Sequence, residues 1–257
     1  MPCKFNTLKA RVGQNERLIG LWCSLTSATA VELLSSTHYD WFLLDMEHAP
    51  NSLESIVEQL RVLDSSPVAA FVRPAGTDRV TIKRLLDAGA KNLLLPYVET
   101  AEQAREIIRS TRYAPEGVRG VSTAGRAAWH GQQPGYLAAA AQELVLAMQI
   151  ETTGALRALP DLLSLPEIDL LFFGPADLSA DMGLLGQAEH PRVQEAILDG
   201  IRQVRAAGKM AGVLAPNLQL ARQYYQAGAR LIAVGSDLQS LYSAASNLLQ
   251  SAQEQLR

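Results

Sequence analysis

Eight short β-rich apolar runs, amphipathic stretches between them and no Ser/Gly/Pro-rich linker predict an α/β chain of one domain spanning 1–257: a (β/α)8 TIM-type barrel. The length, 257 residues, suits one such barrel. The first run is 18–25 (LIGLWCSL), followed by 41–46 (WFLLDM), 68–72 (VAAFV) and 92–97 (NLLLPY). The second four are 144–150 (LVLAMQI), 169–173 (DLLFF), 210–214 (MAGVL) and 231–234 (LIAV). Apolar nearly throughout and separated by helical segments, they read as parallel strands buried on both faces. The stretches 53–63, 80–88, 101–111, 156–165, 193–207 and 218–227 carry helical spacing, several opened by a capping Ser, Thr, Asp or Asn. Three helix-to-strand joints repeat one signal, DAGAKNLLL, AAGKMAGVL and QAGARLIAV, in which a Gly past the helix end supplies a left-handed residue for a tight turn. A doubly wound open sheet is the rival fold. It is disfavoured because no early βα turn reads GxGxxG or GxxxxGK[ST]. The irregular stretch 113–134, between the fourth and fifth strands, is long enough to expect a functional role.

Composition excludes several classes of partner. With 23 Lys+Arg, 26 Asp+Glu and a net charge of −3, the chain lacks the clustered basic face that nucleic acid requires. No window approaches 18 consecutive apolar residues, and MPCKFNTLKARVGQNERL has no apolar core of a secretory signal, so neither membrane nor export is expected and a cytoplasmic location is. Cys3 and Cys23 are too few for a disulfide scaffold or a thiolate zinc site; they read as a loose terminal thiol and a buried small side chain.

In a barrel of this kind, chemistry sits at the carboxyl ends of the strands. There the sequence places Asp45, Glu47 and His48 after the second strand, Arg73 after the third, Glu99 after the fourth, Gln149 and Glu151 on the fifth and Asp177 after the sixth. Glu151 and Asp177 come from neighbouring strands and can share one ion. Two carboxylates, with the other positions left to water or substrate, suit Mg²⁺ or Mn²⁺, with Co²⁺ possible; zinc favours three protein ligands including His. The alternative for Asp177, after Gly-Pro-Ala, is a helix-capping acid. His48 reads as a base near neutral pH or as a surface residue. Arg73 reads as a cation for an anionic substrate group or as an ion-pair partner of Asp45 or Glu47. His38, His130 and His190 read as structural or exposed. The lysines, Lys4, Lys9, Lys83, Lys91 and Lys209, fall away from the expected mouth, so no Schiff base forms there and carbon–carbon chemistry beside a carbonyl needs a metal.

The segments LLDMEHAPN, FVRP, LLDAGAKNLLLPYVET, YAPEGVRGVS, MQIET, FFGPADLS and LIAVGSDL, in this order over about 18–249, resemble the metal-dependent pyruvate aldolases typified by 4-hydroxy-2-oxoheptanedioate aldolase and 2-dehydro-3-deoxyglucarate aldolase. The resemblance implies a homo-hexamer of modified (β/α)8 barrels with the last helix, about 237–250, exchanged between neighbours. It implies Glu151 and Asp177 as metal ligands, and Gln149 with the backbone at Ala176 and Asp177 as the pyruvate site. It implies His48 as the base, Asp87 as the partner that raises its basicity, and Arg73 as the stabiliser of the developing enolate. The reaction implied is reversible cleavage of a 4-hydroxy-2-oxo acid to pyruvate and an aldehyde, with no partner beyond these small molecules. GVRGVS and VGSDL lean towards sugar acids such as 2-dehydro-3-deoxyglucarate; 4-hydroxy-2-oxoheptanedioate of aromatic degradation, giving succinate semialdehyde, is the alternative. Within 120–136 the sequence departs from the family versions, and this loop is expected to shape the aldehyde side of the pocket, directly or across a subunit contact, with Arg119 and Arg126 meeting a distal carboxylate or pairing with Glu116 and Glu143. Another pyruvate-enolate lyase or synthase on the same fold, or a binding module, would share the barrel without the aldol chemistry.

Overall fold

A computed structural model describes residues 6–256; Cys3 and Lys4 lie outside them. Its strands are β1 (Leu18–Cys23), β2 (Trp41–Asp45), β3 (Ala69–Arg73), β4 (Asn92–Leu95), β5 (Val145–Ile150), β6 (Leu170–Phe173), β7 (Met210–Leu214) and β8 (Leu231–Ser236). They close in sequence order into one barrel, each pair parallel, with β8 returning to β1. All eight coincide with the runs expected from the sequence, and the trimmed ends have physical reasons. β1 stops at Cys23 because the amides of Ser24 and Leu25 turn to the Asp237 carboxylate. β4 stops at Leu95 because Pro96 has no N–H for the ladder and Tyr97 adopts φ +52.

The helices in chain order are α1 (Thr7–Gly13), α2 (Ala28–Ser35), α3 (Leu53–Leu63), α4 (Arg79–Asp87), α5 (Ala101–Thr111), α6 (Tyr136–Ala139), α7 (Thr153–Arg157), α8 (Leu159–Leu163), α9 (Pro175–Asp181), α10 (Pro191–Ala206), α11 (Leu218–Ala227) and α12 (Asp237–Gln255). The helix expected over 156–165 is two short ones, divided at Ala158, with Pro160 in the first turn of α8. None is long and apolar enough to cross a membrane among the described residues.

Strand alternation sorts the core into two layers. Leu18, Trp22, Trp41, Leu43, Phe71, Leu94, Val145, Ala147, Leu170 and Phe172 fill the barrel interior, whose amino end is plugged by Leu8 and Val12 of α1. Their strand neighbours Leu21, Phe42, Leu44, Val72, Leu93, Leu95, Leu146 and Met148 face the helices. Gly20 is one position where the interior requires no side chain: a Cβ there would stand 2.0 Å from the Trp41 ring.

The same period carries the polar residues inward. Trp41, Leu43 and Asp45 share a face, as do Phe71 and Arg73, and as do Val145, Ala147, Gln149 and Glu151. The upper layer of the interior is therefore charged. The stretch 113–134 takes another course. It follows α5, which has already returned the chain to the amino end of the barrel, and it packs there: Arg119 donates to Asp87 at 2.7 Å, and Arg126 donates to Ala88 O at 2.8 Å and also pairs with Asp64, just past α3. It therefore does not line the pocket of its own barrel, which leaves the foreseen contact across subunits as its way to reach one. It is an αβ connection, and only βα connections reach the mouth.

Candidate active site

Asp45 and Arg73 are register partners at the ends of β2 and β3. The Arg73 guanidinium, 4% exposed, donates from Nε to Asp45 Oδ1 at 2.9 Å and from Nη2 to Oδ2 at 2.7 Å. Its Nη1 lies 2.8 Å from Glu47 Oε2, an ion pair out of line with the N–H bond, since that oxygen has no aligned donor. The Trp22 ring lies under it at 4.9 Å, and the indole N–H donates to Asp45 Oδ2 at 3.1 Å. Of the five guanidinium N–H groups, two are hydrogen-bonded to Asp45, and Nη1 carries the ion pair to Glu47 without an aligned hydrogen bond. Both ion pairs foreseen as the alternative for Arg73 are thus present.

Burial pushes the Asp45 carboxyl up, but the hydrogen bonds and charge of Arg73, with the Trp22 indole, more than offset it and leave it below its ordinary value. Glu47 ends above its own: burial raises it, the charges of Asp45 and Asp177 add to this, and Arg73 and His48 oppose. His48 is exposed, with its ring Nε2 3.8 Å from Glu47 Oε2.

Across the mouth, Glu151 is 1% exposed. Its Oε1 accepts the Tyr97 amide N–H at 2.7 Å and its Oε2 accepts a close bond from Gln149 Nε2. Burial pushes its carboxyl up to about 7; the Tyr97 amide and Arg73 pull down, while Asp177 and Glu47 push further up. Asp177, partly buried on the first turn of α9, accepts the Tyr97 hydroxyl at 3.2 Å. Ala176 and Asp177 occupy that first turn behind Pro175, where amides have no intrahelical acceptor. Gly174 allows the close approach of β6 to this acid: a Cβ there would meet Glu151 Oε2 at 2.9 Å and Gln149 Nε2 at 3.0 Å.

A divalent cation fits these residues. A buried carboxyl lies within the field of two other acids, Gln149 Oε1 is buried without a partner, and the donor set is all oxygen. Among the described residues no cluster of three or more His, Cys, Asp or Glu forms a self-contained metal cage, so the protein ligands would be the two carboxylates.

Asp87 stands apart from the other site residues within one chain. The structure brings His48, Arg73, Gln149, Glu151 and Asp177 to one mouth, with Ala176 beside them. Asp87 ends α4, five residues before β4 begins, and therefore lies at the amino end of the barrel. A strand length, on the order of 15 Å, separates it from its own chain's mouth. Its carboxylate pairs with the buried Arg119. Within one chain Glu47, not Asp87, is the acid beside His48. Sequence reasoning missed three contributors. Asp45 was placed at the mouth but given no role beyond pairing, although its in-phase spacing with Trp41 and Leu43 marks it as inward-facing. Trp22 carried the same signal on β1, and Tyr97 carried none.

Acidic side chains around an oxygen-rich pocket, a buried guanidinium and an imidazole share one rim of a (β/α)8 barrel, and the relatives with this fold are carbon–carbon lyases. The model of the HpcH/HpaI aldolase/citrate lyase family matches residues 18–244, and the chain belongs to that family. It is 44% identical over 244 residues to the 4-hydroxy-2-oxo-heptane-1,7-dioate aldolase of Escherichia coli, covering 95% of this chain and 93% of that one. The protein of the same name from Klebsiella pneumoniae is 46% identical over 233 residues, 90% of this chain and 88% of that one. Among solved structures, an HpcH/HpaI aldolase/citrate lyase family protein from Burkholderia cenocepacia superposes with a TM-score of 0.93 at 38% identity, covering 96% of this chain and 99% of that one.

Proposed function

We propose that the protein is a divalent-metal-dependent aldolase that cleaves a 4-hydroxy-2-oxo acid of the 4-hydroxy-2-oxoheptanedioate type to pyruvate and an aldehyde, succinate semialdehyde for that substrate. The observation that carries this is the convergence of Glu151, Asp177, Gln149, Arg73 and His48 on one mouth, with Glu151 held as a buried acid that calls for a cation. Glu151 and Asp177 would hold the ion, Mg²⁺ or Mn²⁺, with Co²⁺ possible; when bound it polarises the keto oxygen and lowers the cost of an enolate. Gln149 and the amides of Ala176 and Asp177 would bind the pyruvate carboxylate. The N–H groups of Arg73 that are not hydrogen-bonded to Asp45 would share the charge that develops on the enolate oxygen. His48 would take the proton of the C4 hydroxyl as the C3–C4 bond breaks, the electron pair of that bond passing to the pyruvate enolate and C4 leaving as the aldehyde; a proton delivered to C3 of the enolate then gives pyruvate, and His48 returns its proton to solvent. Glu47, 3.8 Å from the His48 ring, supports the imidazolium so formed.

Arg119, foreseen as a contact for the distal carboxylate that either acceptor carries, is buried against Asp87, away from the mouth of its own barrel. The relatives reported above carry the heptanedioate name. Asp87, and with it the loop 120–136, can serve a His48 only in a neighbouring subunit, as an assembly of several copies would allow. The homo-hexamer with an exchanged last helix is supported by α12 itself: of its 19 residues only Asp237 is buried, and Leu238, Leu241, Tyr242, Leu248 and Leu249 are exposed. A cytoplasmic site of action is proposed with it, on the sequence reading. Release of pyruvate from a panel of 4-hydroxy-2-oxo acids, with chelator and with added Mg²⁺, Mn²⁺ or Co²⁺, tests the function. Cation-dependent release, fastest with the heptanedioate, is expected; no release from any of them would sink it.

A further inference from the structure

Tyr97 stands at φ +52 just after Pro96, a left-handed backbone that a bulky side chain enters only when its surroundings hold it there. Those surroundings are two carboxylates. The Tyr97 amide donates to Glu151 Oε1 at 2.7 Å, and the Tyr97 hydroxyl donates to Asp177 Oδ1 at 3.2 Å. One residue therefore reaches both acids, the first with its main chain and the second with its tip. Glu151 is fixed from two sides, since Gln149 Nε2 binds its other oxygen. Asp177 is not: it sits on a short helix, partly open to solvent, and the Tyr97 hydroxyl is the one side-chain donor it has among the described residues. The Tyr97 ring is 50% exposed at the rim, so little apolar burial explains its place. Oδ2 of Asp177 is left uncommitted.

We propose that Tyr97 is a positioning residue of the cation site, its amide fixing Glu151 and its phenol holding Asp177 at the separation at which the two carboxylates share one divalent ion. This rests on the metal-site reading above, and the test separates the two. Tyr97→Phe keeps the ring and the amide and removes only the hydroxyl. Tyr97→Asn keeps the amide in a residue type that tolerates left-handed backbone, and serves if the first variant folds poorly. Metal-stripped wild type, both variants and Glu151→Gln are titrated with Mn²⁺ alone, with free aquo-Mn²⁺ followed by electron paramagnetic resonance; the visible spectrum of each Co²⁺ form and the melting temperature of each metal-free form are recorded alongside. The expected result is a Kd for Mn²⁺ about five- to tenfold weaker in both Tyr97 variants, below the range for a fully buried charge-assisted bond because solvent partly reaches this one. An altered Co²⁺ spectrum and an unchanged metal-free melting temperature for Tyr97→Phe are expected with it. Affinity within twofold of wild type in the Tyr97 variants, while Glu151→Gln loses binding, overturns the role of Tyr97 and leaves the metal site standing. Failure of wild type itself to bind Mn²⁺ overturns both.

Discussion

Changing Asp45 to Asn removes a single charge from the most tightly built part of the mouth. Asp45 and Arg73 are 1% and 4% exposed, so solvent screens little of their interaction. The carboxylate accepts Arg73 Nε and Nη2 at 2.9 and 2.7 Å and the Trp22 indole at 3.1 Å. An amide of the same shape offers one oxygen in place of two and turns an NH₂ towards donors. Breaking a buried pair by removing one partner costs about 3–5 kcal/mol. Glu47, 2.8 Å from Nη1, still faces the guanidinium, which places the expected loss near ~3 kcal/mol, the low end of that range. The assay is urea unfolding of metal-free protein at fixed protein concentration, for wild type, Asp45→Asn, Arg73→Met and the double variant. The double variant is expected to be less destabilised than the sum of the singles, with a coupling of about 2 kcal/mol. The sign with pH follows from the lowered carboxyl of Asp45. A group depressed in the folded state stabilises above its unfolded pKa, and that contribution is lost as pH falls through the folded one. The gap between wild type and Asp45→Asn therefore narrows in acid. A loss under about 0.5 kcal/mol, the size of an ordinary surface change, or a gap that widens on acidification, would refute this account of how Arg73 is held.

Further expectations follow from the same geometry. His48→Ala should lower pyruvate release about 10²- to 10⁴-fold with Mn²⁺ affinity unchanged, whereas Glu151→Gln should lose both; equal loss of metal in the two would reverse the roles. The Glu151 carboxyl, raised from 4.5 to about 7 chiefly by burial, favours the folded metal-free protein while protonated. That contribution is present below about pH 4.5 and lost as pH rises through 7, about 3 kcal/mol at most. Added Mg²⁺ should restore stability most at pH 8, and Mn²⁺ affinity should weaken about tenfold per pH unit below 7; flat profiles would show that Glu151 ionises normally. Gly174→Ala should displace Glu151, because the new Cβ meets Oε2 at 2.9 Å, and isothermal titration should read weaker cation binding; unchanged affinity would mean that the carboxylate moves freely.

How much of this was legible in the sequence depends on what fixes each feature. The eight strands were, because buried parallel strands are runs of apolar residues whatever surrounds them. So were Arg73, Gln149 and Glu151, which stand in phase with Phe71, Val145 and Ala147 and so must face inward once the sheet closes. The short helix α1 was not, since Leu8 and Val12 make too brief a pattern until the barrel supplies a floor for them to plug. For Asp87 the place was legible but not the partner, since the acid or base it meets depends on Arg119, distant in sequence. Its motif suggests a role, but its position at the end of a helix assigns it to the far end of its own barrel. Arg119 and Arg126 were matched to the wrong acids because an αβ connection packs against helix ends that are distant in sequence, Asp87 and Asp64. Tyr97 follows an ordinary apolar run, and its importance lies in a backbone angle and two contacts that no residue pattern encodes.

Pyruvate release by metal-stripped enzyme, with and without a defined amount of Mn²⁺ added back, bears most directly on the claim that Glu151 and Asp177 assemble around a cation to make this barrel an aldolase. The expected result is no turnover after stripping and full recovery near one Mn²⁺ per chain, with no recovery in Glu151→Gln. Undiminished turnover by protein shown by elemental analysis to hold no divalent ion would contradict it.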